Sequence, residues 1–176
     1  MEQASAKKTE SAPEPVDPPL SRFGVRQAFD LIDLLSSFGV ARAFASPAAR
    51  SRQSLTPWAS MGGGSVTLVE SLDLAASGPD AQVDAEARLG RVRAFAAERL
   101  REHAAPTVLS VTGSARDAII EEIRAYASAP VAGAEAPRLT RGQVLVAHVE
   151  HGPDGLVVAA LETHGVTTKN PAAHTR

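Results

Sequence analysis

Arg50 sits in the run Ala45-Ser46-Pro47-Ala48-Ala49-Arg50, where a strand pattern gives way to a helix. A guanidinium presents a planar fork of donors that matches a phosphoryl group two bonds at a time. The plain alternative is a solvated arginine on an exposed helix turn. Thr112-Gly113-Ser114 form a second candidate. They stand where a β-branched run gives way to a helical pattern, and backbone N–H groups at a helix N-terminus attract anions. The competing role there is capping by Ser114, with Asp117 three residues on approximating a capping box.

The remaining chemistry-bearing residues point to less. His148 and His151 share an H-x-x-H spacing. On a strand that spacing sends the two rings to opposite faces, and His151 is expected in the turn, which argues against a metal site. Glu70 and Asp73 follow a short strand candidate and read as surface acids. His103, His164 and His174 are expected at exposed or terminal positions. There is no G-x-S-x-G elbow and no P-loop. No cofactor is expected.

These residues need a scaffold, and the chain supports one core. It has 176 residues, 44% of them hydrophobic and only 4% aromatic, so Ala, Val, Leu and Ile must fill the interior. Its 18 basic and 20 acidic residues leave a net charge of −2, which gives no driving force toward nucleic acid or an anionic membrane. Cysteine is absent, so disulfides, thiolate catalysis and Cys-based zinc sites are excluded. No apolar run reaches membrane-spanning length, and the first ten residues lack a signal-peptide core, so a cytoplasmic location is expected.

Residues 1–19, rich in Lys, Glu, Ser, Ala and Pro, read as a disordered tail. A domain over 20–165 follows, and 166–176 read as a flexible C-terminus. Within the domain, Ser21 caps a helix to Phe38 whose stripe is Val25, Ala28, Ile32 and Leu35, and Gly39 closes it. A strand spans 40–45, a helix runs to about Ser60, and Val66–Val69 make another strand. Residues 74–83 form a loop, and Asp84 caps a helix ending near His103 with Leu89, Val92, Ala96 and Leu100 inward. Thr107–Thr112 are a strand, 115–126 a helix and 128–142 a surface loop. Gln143–Val149 and Leu156–Glu162 flank the turn Gly152-Pro153-Asp154-Gly155 as a hairpin. Alternating strands and helices predict an α/β fold: a three-layer α/β/α sandwich with a mostly parallel sheet and a C-terminal antiparallel hairpin.

Three segments resemble the histidine phosphatase (phosphoglycerate-mutase-like) superfamily. Pro19-Leu20-Ser21-Arg22-Phe23-Gly24-Val25-Arg26-Gln27-Ala28 is similar to the family's RPLS-x-x-G-x-x-QA helix start. Ala45-Ser46-Pro47-Ala48-Ala49-Arg50-Ser51-Arg52-Gln53-Ser54 is similar to its SSP-x-x-R-x-x-QT turn, and Thr107–Ile119 to its fourth strand and following helix. The short bacterial phosphohistidine phosphatases and the domain fused to some Nudix hydrolases are the nearest in pattern. The resemblance implies that Arg50 clamps a phosphoryl group and that Thr112, Gly113 and Ser114 lie in the same pocket. It also implies a strand order 3-2-4-1-5-6.

The departures are specific. The family's nucleophilic histidine follows an arginine at the end of a first strand, and no Arg-His pair occurs here. Gly113 stands where the second catalytic histidine belongs. The first strand is lacking, and direct pairing of the hairpin with Thr107–Thr112 is the expected repair. No catalytic residue is therefore assigned, and enzyme activity is left open. The resemblance implies a degenerate domain binding a phosphorylated small molecule or a protein partner. The alternative is a phosphohydrolase fragment whose Arg-His strand is lost or supplied by another chain.

Overall fold

The computed structural model describes residues 17–74, 85–103, 105–153 and 155–165. Of the tail expected over 1–19, residues 1–16 lie outside the described residues, as do most of the loop expected over 74–83, the Asp84 cap, and the end at 166–176 with His174, whereas Asp17 is bonded to Ala49.

Helix α1 (Arg22–Ser37) starts where Ser21 Oγ accepts the Gly24 N–H at 3.1 Å. It stops at Gly39, whose φ of 63° is open to glycine at little cost. Its inward face is Ala28, Leu31 and Leu35. Val25, expected inward, is exposed, because the helix is rotated to put Leu31 in the core.

Strand β1 (Arg42–Ala45) is the centre of a parallel sheet, with β2 (Val66–Leu68) on one side and β3 (Thr107–Ser110) on the other. Ala43 pairs with Val66 and with Val108. The order β2-β1-β3 is the one that the resemblance implies for the second, third and fourth strands.

Strand alternation builds the layers. Ala43 and Ala45 face α1 and α2 (Ala49–Trp58), where Leu31, Leu35, Leu55 and Trp58 close one core. Phe44 faces the other way, toward α3 (Ala85–Arg101) and α4 (Gly113–Ala125), where Val92, Ala96, Ala118 and Ile119 form a second. Phe44 meets Phe95 edge-on at 5.4 Å, and the Arg99 guanidinium lies over both rings. Thus the sandwich has helices on both faces of the sheet. A four-residue helix, α5 (Ala129–Ala132), interrupts the expected loop at 128–142. Among the described residues no helix is long and apolar enough to cross a membrane.

Strands β4 (Gln143–Gly152) and β5 (Gly155–Gly165) form the hairpin, longer than expected, so His151 belongs to a strand and not to the turn. A bulge between His148 and Val149 shifts the register. The expected pairing of this hairpin with Thr107–Thr112 does not occur, for β4 and β5 make their own two-stranded sheet. Their anchors lie elsewhere. Val158 N–H donates to the Tyr126 carbonyl at 2.8 Å, and Ser128 N–H to the Val158 carbonyl at 2.9 Å. His151 Nε2 meets the Leu100 carbonyl at 2.8 Å. Phe38 stands edge-on to both His148 and His164. Glu162 bridges those two rings, and the hydrogen bond from His148 holds its carboxyl below the usual carboxylate range. The hairpin is thus fastened to the ends of α1, α3 and α4, which holds it off the sheet edge.

The outer edge of β3 consequently carries no ladder among the described residues. The Pro106 and Ser110 carbonyls accept bonds from β1. By alternation, Thr107, Leu109 and Val111 turn their N–H and C=O groups outward. In hydrogen exchange of the full chain, the Leu109 and Val111 amides should exchange at least about tenfold faster than Val108 and Ser110. Equal protection across the four would show that the edge is covered.

Trp58 sets the fit of the first core. It is 2% exposed, and a Cβ added at Gly63 would run into its indole. Gly63→Ala should therefore destabilise the fold by about 1–3 kcal/mol in urea unfolding, because the ring must shift within a packed core. A neutral result would show that the indole has room to move.

Candidate functional site

In a parallel sheet every strand delivers its following loop to the same edge. Here β1 leads into α2 and β3 into α4, and the two strands are neighbours. From β1 the chain moves outward to β2, then returns to the far side of β1 as β3. Strand order thus reverses between β1 and β3, the position at which open α/β sheets form a ligand crevice. Arg50 lies exposed in the first turn of α2, and Thr112, Gly113 and Ser114 lie exposed at the start of α4. All four predicted residues therefore lie at the same edge of the sheet, after neighbouring strands about 4.8 Å apart.

Two hydrogen bonds bind the walls together. Ser46 N–H donates to the Ser110 carbonyl at 3.0 Å, and Ser110 Oγ donates to the Ser51 carbonyl at 2.9 Å. Ser46 and Ser51 are buried, and neither hydroxyl has a hydrogen-bond partner among the described residues. Two unsatisfied hydroxyls below the Arg50 turn are unusual for a packed interior.

The start of α4 differs from expectation. The helix begins at Gly113, so Thr112 is its N-cap and Ser114 lies inside the first turn. Thr112 makes no side-chain capping bond. Instead its carbonyl accepts the Ala115 and Arg116 N–H groups. Asp117 closes no capping box, since Arg116 takes its carboxylate at 2.7 Å. Gly113 has a φ of 38°, and a Cβ there would meet nothing within 4 Å. The position is open space with a backbone that favours glycine. Arg116 is a second cation near the crevice, but Asp117 and the Leu139 carbonyl, at 3.0 Å, already engage it. Gln27 Nε2 donates to the Arg141 carbonyl at 3.5 Å, so the 139–141 segment links α1 to α4.

Sequence reasoning missed Asp17. Both of its carboxylate oxygens accept the Ala49 N–H, at 2.9 and 3.0 Å, at the head of α2. Leu20 N–H donates to Gln53 Oε1 at 2.7 Å and fastens the same segment to α2. The available signal was negative: Ala48 precedes α2 and has no side chain able to cap it.

Glu70 and Asp73 flank a turn (Glu70–Leu72) after β2, at the same edge of the sheet, with Glu70 exposed. The histidines lie elsewhere. His148 and His164 surround Phe38 beyond α1. His151 contacts the last turn of α3 and stacks on exposed His103 with ring centroids 3.9 Å apart. Those helix ends sit where β1 and β3 begin, as the Ala41 N–H bond to the Pro106 carbonyl shows. The four described histidines therefore gather at the opposite edge from Arg50. Among the described residues no group of three or more His, Cys, Asp and Glu side chains could hold a metal.

Comparisons with known proteins follow this geometry. Two similar solved structures are of a mycobacterial glucosyl-3-phosphoglycerate phosphatase. One is its complex with inorganic phosphate, at 19% identity and a TM-score of 0.49, and the other its native form, at 18% and 0.48. Each similarity covers 62% of this chain and 70% of the other. No curated protein matches in sequence. The family model of the histidine phosphatase superfamily (branch 1) matches residues 3–148, most of the chain. Because that model spans most of the chain, this chain belongs to the histidine phosphatase superfamily.

Proposed function

We propose that this domain is a degenerate member of its superfamily that binds a phosphorylated ligand, on a small molecule or a protein, and does not turn it over. One observation carries this reading: all four described histidines stand at the sheet edge opposite the crevice. Strand β1 alone spans roughly 13 Å between the edges, so none of those imidazoles is within reach of a phosphate on Arg50. Nucleophilic transfer requires an imidazole in line with the phosphorus, at about 3–3.5 Å. At the second catalytic position Gly113 offers only its backbone.

Binding needs less. The Arg50 guanidinium, the free N–H groups of the α4 turn and the positive end of the α4 dipole supply donors and charge without a nucleophile. The buried hydroxyls of Ser46 and Ser51 add polar capacity beneath. The absence of cysteine fits a cytosolic setting.

A second reading rests on the outer edge of β3. A strand bearing an Arg-His pair, supplied by other chain, would find the Leu109 and Val111 backbone groups turned outward and would deliver its histidine to the crevice. Gly113 counts against full activity even then.

The test joins catalysis and binding on one sample. Hydrolysis of a generic phosphoester and of phosphohistidine should stay at background. Inorganic phosphate should shift the amides of Ala49, Arg50 and Thr112–Ser114, and Arg50→Ala should weaken that binding by about tenfold or more, the worth of a charged hydrogen bond. Turnover that survives repurification, or phosphate shifts confined to other segments, would contradict the proposal.

A further inference from the structure

The head of α2 already holds an anion, and it belongs to the chain itself. Ala48 provides no side-chain cap, so the first N–H groups of a ten-residue helix depend on another donor-acceptor partner. Asp17, far away in sequence, supplies a carboxylate whose two oxygens share the Ala49 N–H. Pro18 and Pro19 restrict the link, and the Leu20–Gln53 bond pins its far end to α2. The carboxylate is therefore presented to this helix at high effective concentration.

It sits on the residue before Arg50, near the ends of the turn that carries Ser46 and Ser51, whose buried hydroxyls have no partner among the described residues. An external phosphate approaching the α2 side of the crevice finds the Ala49 N–H taken and the positive helix end neutralised. The same phosphate meets like charge from the carboxylate. Among the described residues no side chain is bonded at the head of α4, where Thr112 makes no capping bond.

We infer that Asp17 is a tethered competitor that closes the α2 half of the phosphate crevice until a bound ligand displaces it. This rests on the reading of the crevice as a phosphate site. The consequence is selectivity by charge. A phosphate dianion anchored by Arg50 and the α4 turn can displace a carboxylate. A singly charged carboxylate ligand gains nothing by replacing one of its own kind. Displacement also frees Asp17 from the head of α2 while Leu20 stays held by Gln53, so occupancy of the crevice is reported to the residues just before α1.

The experiment is a titration of the full chain with inorganic phosphate, followed by amide NMR, on the wild type, Asp17→Asn and Arg50→Ala. Asn keeps a capping oxygen but removes the charge. Asp17→Asn should tighten phosphate binding about two- to fivefold, the factor a charge at a helix N-terminus represents. Phosphate added to the wild type should also shift the Leu20 amide and the Asp17 carboxyl carbon as the contact opens. Unchanged or weaker binding by a folded Asp17→Asn, while the wild type still binds at Arg50, would reduce Asp17 to a structural cap and overturn the inference alone. Absence of binding in both would overturn the phosphate site and the inference with it. If Asp17→Asn fails to fold, the wild-type carboxyl carbon decides: a static Asp17 signal at phosphate saturation contradicts displacement.

Discussion

Parallel pairing of β1 with β3 is the interaction on which the rest of the molecule depends. The bond from Ser46 N–H to the Ser110 carbonyl is its last rung, and it sets two loop exits side by side. From that rung follow the placement of the Arg50 turn, the Thr112–Ser114 turn and both helix heads at one edge. The pairing also divides the core. Alternation along β1 sends Ala43 and Ala45 to one helix pair and Phe44 to the other, so each face of the sheet needs its own cover. A strand buried on both faces but paired on one edge only is the cost of a three-stranded sheet.

That arrangement separates the Arg50 turn from the described histidines. The crevice edge collects N–H donors, a guanidinium and buried hydroxyls, all suited to an anion. The opposite edge collects histidines, held by Phe38, Glu162 and the Leu100 carbonyl in the docking of the hairpin. The imidazoles contribute to packing between the hairpin and the helix ends. On the proposed reading, the anion-holding half of the family architecture is the part retained.

Much of this was legible in sequence, for physical reasons. Short β-branched runs such as Thr107–Val111 have few ways to bury themselves except in a covered sheet, and Ser21 and Gly39 mark α1 by local backbone chemistry. Thr112–Ser114 could be named because they flank a strand-to-helix turn, and Arg50 because its segment resembles the family's SSP-x-x-R-x-x-QT turn. What escaped were bonds between residues far apart. Asp17 capping α2 is invisible to any local rule, since the two partners are 32 residues apart. The exposure of Val25 and burial of Leu31 reflect a rotation of α1 set by α2, not by its own periodicity. The hairpin's position followed from Val158 meeting Tyr126 and Ser128, contacts that no turn signal announces.

The central claim is a phosphate seat made by two helix heads and Arg50, without a nucleophile. Diffraction from crystals soaked in tungstate, a heavy phosphate analogue, tests it most directly through the metal's anomalous signal. The account predicts one strong peak between the Arg50 guanidinium and the Thr112–Ser114 backbone, with no histidine nitrogen in contact. A peak bound instead by histidines at the hairpin end, or no peak at the crevice at saturating tungstate, would contradict it.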